Sequence, residues 1–277
     1  MRGIELLTAS LVTFHNNFDD ISKVIESFLL CTLDSILIVS DNSDTRILES
    51  MCVNERIIYI YNGKNLGFGG GHNVALGRAN ALGSTYHAFL NPDIYFSEGV
   101  FESLIKFMDE NTSVGLLMPR IVFPDGSLQK LCKLFPSPWN LIFRRFIPLK
   151  SIKKAMDKNY ELSMFSYDKT IEVPTISGCF MLGRTEILYS VNGFDLRYFM
   201  YMEDVDLCRK IWMKEKSVVF YPNVSVVHKY EKGSYKNNKL LKYHIQSAIS
   251  YFNKWGWFTD PFKNELNKKV LKSLMEK

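Results

Sequence analysis

The chain has 277 residues, 47% of them hydrophobic and 23% charged, with a net charge of +5. That is an ordinary soluble globular composition with length enough for a large core, and no apolar run approaches the eighteen or so residues that cross a bilayer. The basic balance suits nucleic acid, anionic lipid or phosphorylated small molecules, but no zinc-finger spacing or RRM-type aromatic motif accompanies it, so nucleic acid is the least supported partner.

Met1-Arg2-Gly3-Ile4-Glu5 runs straight into a strand-like segment with no small-residue cleavage site, so no signal peptide is expected. Leu6 to Phe14 reads as a first buried strand ending near Thr13, and Asp19 and Asp20 can cap the helix that follows. Ser35–Ser40 is a second strand with Asp41-Asn42-Ser43-Asp44 at its carboxyl end. A helical stretch to about Val53 and a third strand at Ile57–Tyr61 follow. This β-α-β-α-β order with continuously apolar strands predicts a parallel sheet covered on both faces.

Asn65-Leu66-Gly67-Phe68-Gly69-Gly70-Gly71-His72-Asn73 reads either as a structural glycine turn or as a loop that brings backbone close to a phosphate, with a helix from about His72 to Leu82 aimed at the same place. It is neither a dinucleotide fingerprint nor a P-loop. Ala88-Phe89-Leu90 is a buried strand that Pro92 must stop, which leaves Asp93 just past the carboxyl end, where open α/β sheets bind ligands. Asn-Pro-Asp is good turn chemistry anywhere; a carboxylate there also suits a hard divalent cation. A helix at about Glu98–Glu110 and a strand at Val114–Met118 complete the first half.

In the second half, Phe123-Pro124-Asp125-Gly126-Ser127 is a turn, read as a hairpin. Residues 139–154 mix Trp139, Phe143 and Phe146 with Arg144, Arg145 and Lys150, which suits a membrane interface or an ordinary surface segment. A β-like stretch from Ile171 to Leu182 is interrupted at Ser177-Gly178. From Val205 the apolar residues follow a helical period, with Glu203, Asp204 and Asp206 crowding the first turn. Such acids complement a helix dipole; three of them behind an aromatic and Met wall also suit a desolvated base. A β-rich run from Val218 to Val227, broken at Pro222-Asn223, ends at His228, and a basic, aromatic tail closes the chain. The five cysteines include no C-x-x-C pair, so free buried thiols in a reducing compartment are expected, and the cytoplasm with them.

Taken in order, these pieces resemble glycosyltransferase family 2, the inverting GT-A fold enzymes, and within it the bacterial rhamnosyltransferases of O-antigen and cell-wall polysaccharide. The matching residues are Val12-Thr13, Ser40-Asp41-Asn42-Ser43, Asn65-x-Gly67-Phe68-Gly69 with His72-Asn73, Leu90-Asn91-Pro92-Asp93, Ser177 to Leu182, Gly193-Phe194-Asp195, Tyr198 to Cys208, and His228. The resemblance covers about residues 5–230. It implies a Rossmann-like, mostly parallel sheet flanked by helices: a nucleotide-sugar half at 1–120, an acceptor and base half at 121–235, and a helical tail at 236–277.

The resemblance places Thr13, Asp41, Asn65, Gly67, His72, Asn73 and Asn91 around the nucleotide, and Asp93 and His228 at a divalent cation, Mg²⁺ or Mn²⁺. It makes Asp204 the base with Glu203 beside it, and puts Gly178 and Asp206 at the sugar or acceptor. Asn91 stands where the family often carries the first Asp of Asp-x-Asp, and Val173-Pro174-Thr175 where an aromatic is common. The implied donor is dTDP-rhamnose or a UDP-sugar such as UDP-galactofuranose. The implied acceptor is a saccharide or a polyprenyl-diphosphate-linked saccharide at the cytoplasmic face of the inner membrane, with peripheral membrane contact. A catalytically silent nucleotide-sugar-binding scaffold is the alternative from another class.

Overall fold

The computed structural model describes residues 6–141, 160–163, 165–230 and 238–275. The first apolar run is β1 (Leu7–Thr13), buried along its whole length. In α1 (Phe18–Leu29) the cap is Asn17, whose side chain accepts from the Asp19 N–H. Asp19 and Asp20, the expected caps, occupy the first turn and complement the dipole. Between β2 (Ser35–Asp41) and β3 (Ile57–Tyr61) stands only one 3₁₀ turn, Glu49–Met51, not a helix reaching Val53. Local bonds such as Ser43 N–H to Asp41 Oδ1 (2.9 Å) compete with helix in that polar stretch.

Helix α2 (Gly67–Ala81) starts well before His72 and absorbs the whole glycine run. Here the glycines serve packing. A Cβ on Gly69 would stand 2.7 Å from Phe194 Cβ, one on Gly71 2.7 Å from Val12 Cγ1, and Gly67, at φ +76°, lies against the Phe199 carbonyl. Close approach of backbone to neighbours is what offsets the poor helix propensity of glycine.

The remaining elements are β4 (Tyr86–Leu90), β5 (Ile94–Tyr95), α3 (Val100–Glu110), β6 (Val114–Val122), α4 (Pro138–Leu141), β7 (Ile171–Glu172), β8 (Phe180–Arg184), α5 (Thr185–Ser190), α6 (Glu203–Met213), β9 (Ser217–His228), α7 (Asn238–Trp255) and α8 (Pro261–Met275). The described strands form one nine-stranded sheet in the order β3-β2-β1-β4-β8-β6-β9-β5, with β7 beside β9. β3, β2, β1 and β4 run parallel; β8 runs antiparallel between β4 and β6, and β6 is parallel to β9. β6 spans residue 120, so the two expected halves share this sheet. Of the basic-aromatic segment 139–154, residues 142–154, with Arg144 and Arg145, lie outside the described residues.

Alternation along β2 shows how the layers form. Leu37 and Val39 join the core with Ile21, Val24 and Phe28 of α1 and Phe101 and Leu104 of α3. Ile38 faces the other way, onto Ala75 and Ala79 of α2. Helices thus cover both faces, and the carboxyl ends of β1, β2 and β4 share one edge. On that edge the tail closes down: Ala248, Tyr251 and Phe252 of α7 pack on Tyr198 and Met202, just ahead of α6.

Candidate active site

A cavity of about 650 Å³ opens along this edge. Thr13, Asn65, Gly67, Asn91, Asp93, Gly178, Glu203 and Asp204 all line it. Asp41 lies directly behind, fully buried, its carboxylate accepting from Thr13 Oγ1 (3.0 Å), Ser43 N–H (2.9 Å) and Tyr59 OH (2.7 Å). It therefore orients the Thr13 hydroxyl at the end of β1. Asn65 Oδ1 accepts from Gly67 N–H, and Asn42 Nδ2 donates to Gly67 O, so the turn into α2 is fixed from both sides.

Pro92 ends the strand as the sequence requires, and Asp93 follows it into the cavity wall. β5 pairs Ile94 with His228, and Lys229 N–H donates to Asp93 O (3.0 Å), so residues far apart in sequence meet here. His228 Nε2 lies 3.3 Å from Asp93 Oδ1, and His228 Nδ1 lies 3.0 Å from Gln129 Oε1. A carboxylate and an imidazole at this separation, with the Asn91 carboxamide on the same cavity, fit a hard divalent cation that draws its other ligands from phosphate and water. Among the described residues no group of three or more His, Cys, Asp or Glu stands ready as a closed metal site. Beside this pair, Lys229 is held by Asp20, and both line the cavity.

Glu203 and Asp204, on the same cavity, open α6. The two residues before them, Tyr201 and Met202, both adopt left-handed backbone, at φ +70° and +71°. Such conformations cost non-glycine residues roughly 1–3 kcal/mol each and persist where the surroundings impose them. Ser247 Oγ of α7 donates to Met200 O (2.8 Å), and the His244 ring stands 5.3 Å from that of Tyr201.

Asp204 is half-buried; its carboxylate accepts from Gly178 N–H (3.1 Å) and Val205 N–H (2.8 Å). Burial raises its pKa above the usual aspartate value, while those two donors pull against the rise. Burial pushes Glu203 up to about 8, and the neighbouring Asp204 charge adds to the push. The two carboxyls thus differ: Glu203 is the proton-bearing one near neutrality, and Asp204, with two N–H donors, is the one fitted to stay ionised and accept a proton.

His228 is buried and touches Asp93 without itself lining the cavity, and the structure does not bring His72, Asn73 or Asp206 onto it. His72, on α2, is fully buried with Nδ1 2.6 Å from Ser10 Oγ. The Asn73 side chain is spent on the Phe194 backbone, donating to its carbonyl and accepting from its N–H. Asp206 is fully buried and accepts from Lys254 Nζ (2.7 Å), Trp255 Nε1 (2.7 Å) and Tyr198 OH (3.2 Å). Asn42, Lys229, Tyr201 and Gln129 are absent from the sequence-based site. Lys229 had a signal in its adjacency to His228; Gln129 had none, because its partner is 99 residues away.

Comparison with known proteins adds the family context. The sequence pattern of "Glycosyl transferase family 2" matches residues 11–191. Rhamnosyltransferase WbbL of Escherichia coli K12 is 24% identical over 248 residues, covering 87% of this chain and 90% of that protein. The N-acetylglucosaminyl-diphospho-decaprenol L-rhamnosyltransferase of Mycobacterium tuberculosis is 26% identical over 216 residues, covering 73% and 69%. Among solved structures, GalNAc-T7 with UDP, GalNAc and Mn²⁺ superposes with a TM-score of 0.64 at 13% identity, over 90% of this chain and 48% of that one. S. aureus TarS gives 0.60 at 14%, over 97% and 42%. The chain thus spans about half the length of these structures or less, and at such identity they show the shared GT-A fold.

Proposed function

Because the chain belongs to glycosyl transferase family 2 and is a glycosyltransferase, we propose that it is an inverting enzyme that transfers a sugar, L-rhamnose from dTDP-rhamnose, to a saccharide hydroxyl. We place the acceptor on a diphosphate-linked lipid, in keeping with the relative whose name specifies N-acetylglucosaminyl-diphospho-decaprenol. The observation that carries this reading is that Asp93 and Asp204 line one cavity.

Inverting transfer is a single displacement at the anomeric carbon. The acceptor oxygen forms the new bond, the bond to the diphosphate oxygen breaks, and the acceptor hydroxyl proton passes to Asp204. Proton transfer of this kind supplies roughly 10²- to 10⁴-fold, so positioning and leaving-group stabilisation must supply the rest. A divalent cation, Mg²⁺ or Mn²⁺, held by Asp93 and His228 with Asn91 beside them would stabilise the departing nucleoside diphosphate as a Lewis acid. Thr13, positioned by Asp41, and Asn65 hold the nucleotide; Glu203 and Gly178 border the sugar and acceptor.

A peripheral contact with the cytoplasmic membrane face fits such an acceptor. Lys242, Ile245 and Ile249 are exposed on α7, and Phe258 is exposed beyond it. No helix among the described residues is long and apolar enough to cross a membrane.

The test is donor turnover with dTDP-rhamnose, UDP-galactose, UDP-galactofuranose and UDP-GlcNAc, each with Mg²⁺ or Mn²⁺ and a GlcNAc-diphosphate-lipid analogue. Nucleoside diphosphate release and a mass-shifted acceptor are followed, with Asp204→Asn as control. Turnover of dTDP-rhamnose that the variant loses is the expected result. Turnover of a UDP-sugar alone discards the rhamnosyl assignment and keeps the reaction class.

A further inference from the structure

We infer that Gln129 is a positioning residue that fixes His228 in one tautomer and so presents its Nε2 lone pair toward Asp93 as a cation ligand. This rests on the cation role proposed above. Gln129 follows the turn after β6 and is buried. Its backbone N–H donates to Ile121 O (2.9 Å), which sets the chain. Its side-chain Nε2 donates to two backbone carbonyls, His228 O (2.7 Å) and Val122 O (3.3 Å).

Carbonyl oxygens only accept, so the amide nitrogen must face them and the amide oxygen must face the ring. That oxygen, 3.0 Å from His228 Nδ1, also only accepts, so Nδ1 carries a proton. The neutral ring then has its lone pair on Nε2, the atom 3.3 Å from Asp93 Oδ1. One side chain thereby clamps both the ring and the carbonyl of His228. Metal-binding histidines depend on such a partner at the other ring nitrogen, and losing it typically weakens metal affinity about 10- to 100-fold.

The experiment has two readouts. The first is the His228 tautomer in the wild type, read by long-range ¹H–¹⁵N NMR without metal and assigned with His228→Gln. A protonated Nδ1 is expected, and a ring protonated only on Nε2 overturns the inference. The second is Mn²⁺ affinity, followed by electron paramagnetic resonance of free Mn²⁺ with UDP or dTDP saturating, in the wild type, Gln129→Met and Gln129→Glu. Gln129→Met should weaken Mn²⁺ binding about 10- to 100-fold while leaving metal-free nucleotide affinity unchanged. Gln129→Glu keeps an acceptor for Nδ1–H but loses the donor to the His228 and Val122 carbonyls, so it should weaken Mn²⁺ binding less than Gln129→Met does. Wild-type Mn²⁺ affinity in folded Gln129→Met, or equal loss in both variants, overturns the role. If Gln129→Met does not fold, the tautomer decides. If the wild type binds no Mn²⁺ at all, the cation reading fails, and the tautomer still reports whether Gln129 sets the ring.

Discussion

Lys254 Nζ lies 2.7 Å from Asp206 Oδ1 and also 2.7 Å from Asp195 Oδ2, tying α7 to the helix that begins with Glu203 and Asp204. Asp206 is fully buried, and its remaining bonds go to Trp255 and Tyr198. One turn on, Arg209 is paired bidentately with Asp260 at 2.6 and 2.7 Å and stacked 4.3 Å over Trp255. Two buried ionic contacts thus make the tail part of the scaffold that carries the proposed base.

Removing one partner of such a pair leaves a buried charge behind. Lys254→Met should destabilise the protein by about 3–5 kcal/mol, measured as a lower urea midpoint, because Asp206 stays in place. Adding Asp206→Asn removes the stranded charge and should recover part of the loss. A Lys254→Met midpoint within error of wild type would show that Trp255, Tyr198 and Lys210, whose Nζ stands 3.9 Å from Asp206 Oδ2, satisfy Asp206 without it.

The paired carboxyls predict a bell-shaped pH profile. Asp204 must be ionised to accept a proton, so kcat/KM should fall on the acid side through a pKa above the usual ~3.9 of aspartate. Glu203 loses its proton at about 8 and places a second charge beside the base, which predicts a basic limb there. Glu203→Gln should keep activity at pH 7 within about tenfold and abolish that limb, whereas Asp204→Asn should cost roughly 10²- to 10⁴-fold. A basic limb unchanged in Glu203→Gln would assign it to another group.

Much of this architecture was legible where one local signal decided the outcome. Pro92 ends β4 because it has no N–H to give, and Pro222-Asn223 coincides with the register shift between β6 and β9. The start of α2 was not legible, because glycine propensity argues for a loop and only contacts with Phe194, Phe199 and Val12 reveal the close packing. Asp206 stood beside the base in sequence, but two residues turn a helix by roughly 200°, which directs it to the tail rather than the cavity. His72 looked exposed to a ligand beside the glycines; its partner Ser10 is 62 residues away. The family match stops at residue 191, before Glu203 and Asp204, so the roles of that pair rested on the resemblance carried by Tyr198 to Cys208.

The glycines of α2 predict opposite signs within one helix. A Cβ on Gly71 would meet both Val12 methyls, at 2.7 and 2.9 Å, so Gly71→Ala should cost about 1–3 kcal/mol by overpacking the end of β1. Gly77 is exposed with nothing within 4 Å of an added Cβ, so Gly77→Ala should stabilise by about 0.4–1 kcal/mol. Urea denaturation of both variants checks this, and a neutral Gly71→Ala would mean that β1 and α2 can move apart.

Two buried histidines, His72 on α2 and His87 on β4, predict how stability responds to acid. Ser10 Oγ lies 2.6 Å from His72 Nδ1 and 3.0 Å from His87 Nε2, and His87 Nδ1 lies 2.7 Å from Thr8 Oγ1. Both rings are fully buried, so burial lowers His87 to about 3 and His72 well below its ordinary value, with the neighbouring ring adding to the effect on His72. The unfolded chain takes up these protons near pH 6.5, while the folded chain does not. Stability from each ring is therefore fully present above about 6.5 and lost as pH falls below it, by about 1.4 kcal/mol per unit per ring. Glu203, raised in the fold, acts with the opposite sign over the same range, so the total slope is smaller than two histidines give. A variant comparison cancels that contribution. Between pH 6.5 and about 4.5, His87→Asn should flatten the slope of unfolding free energy by about 1.4 kcal/mol per pH unit, whatever its absolute stability. Parallel slopes in the two proteins would show that His87 takes a proton in the folded state.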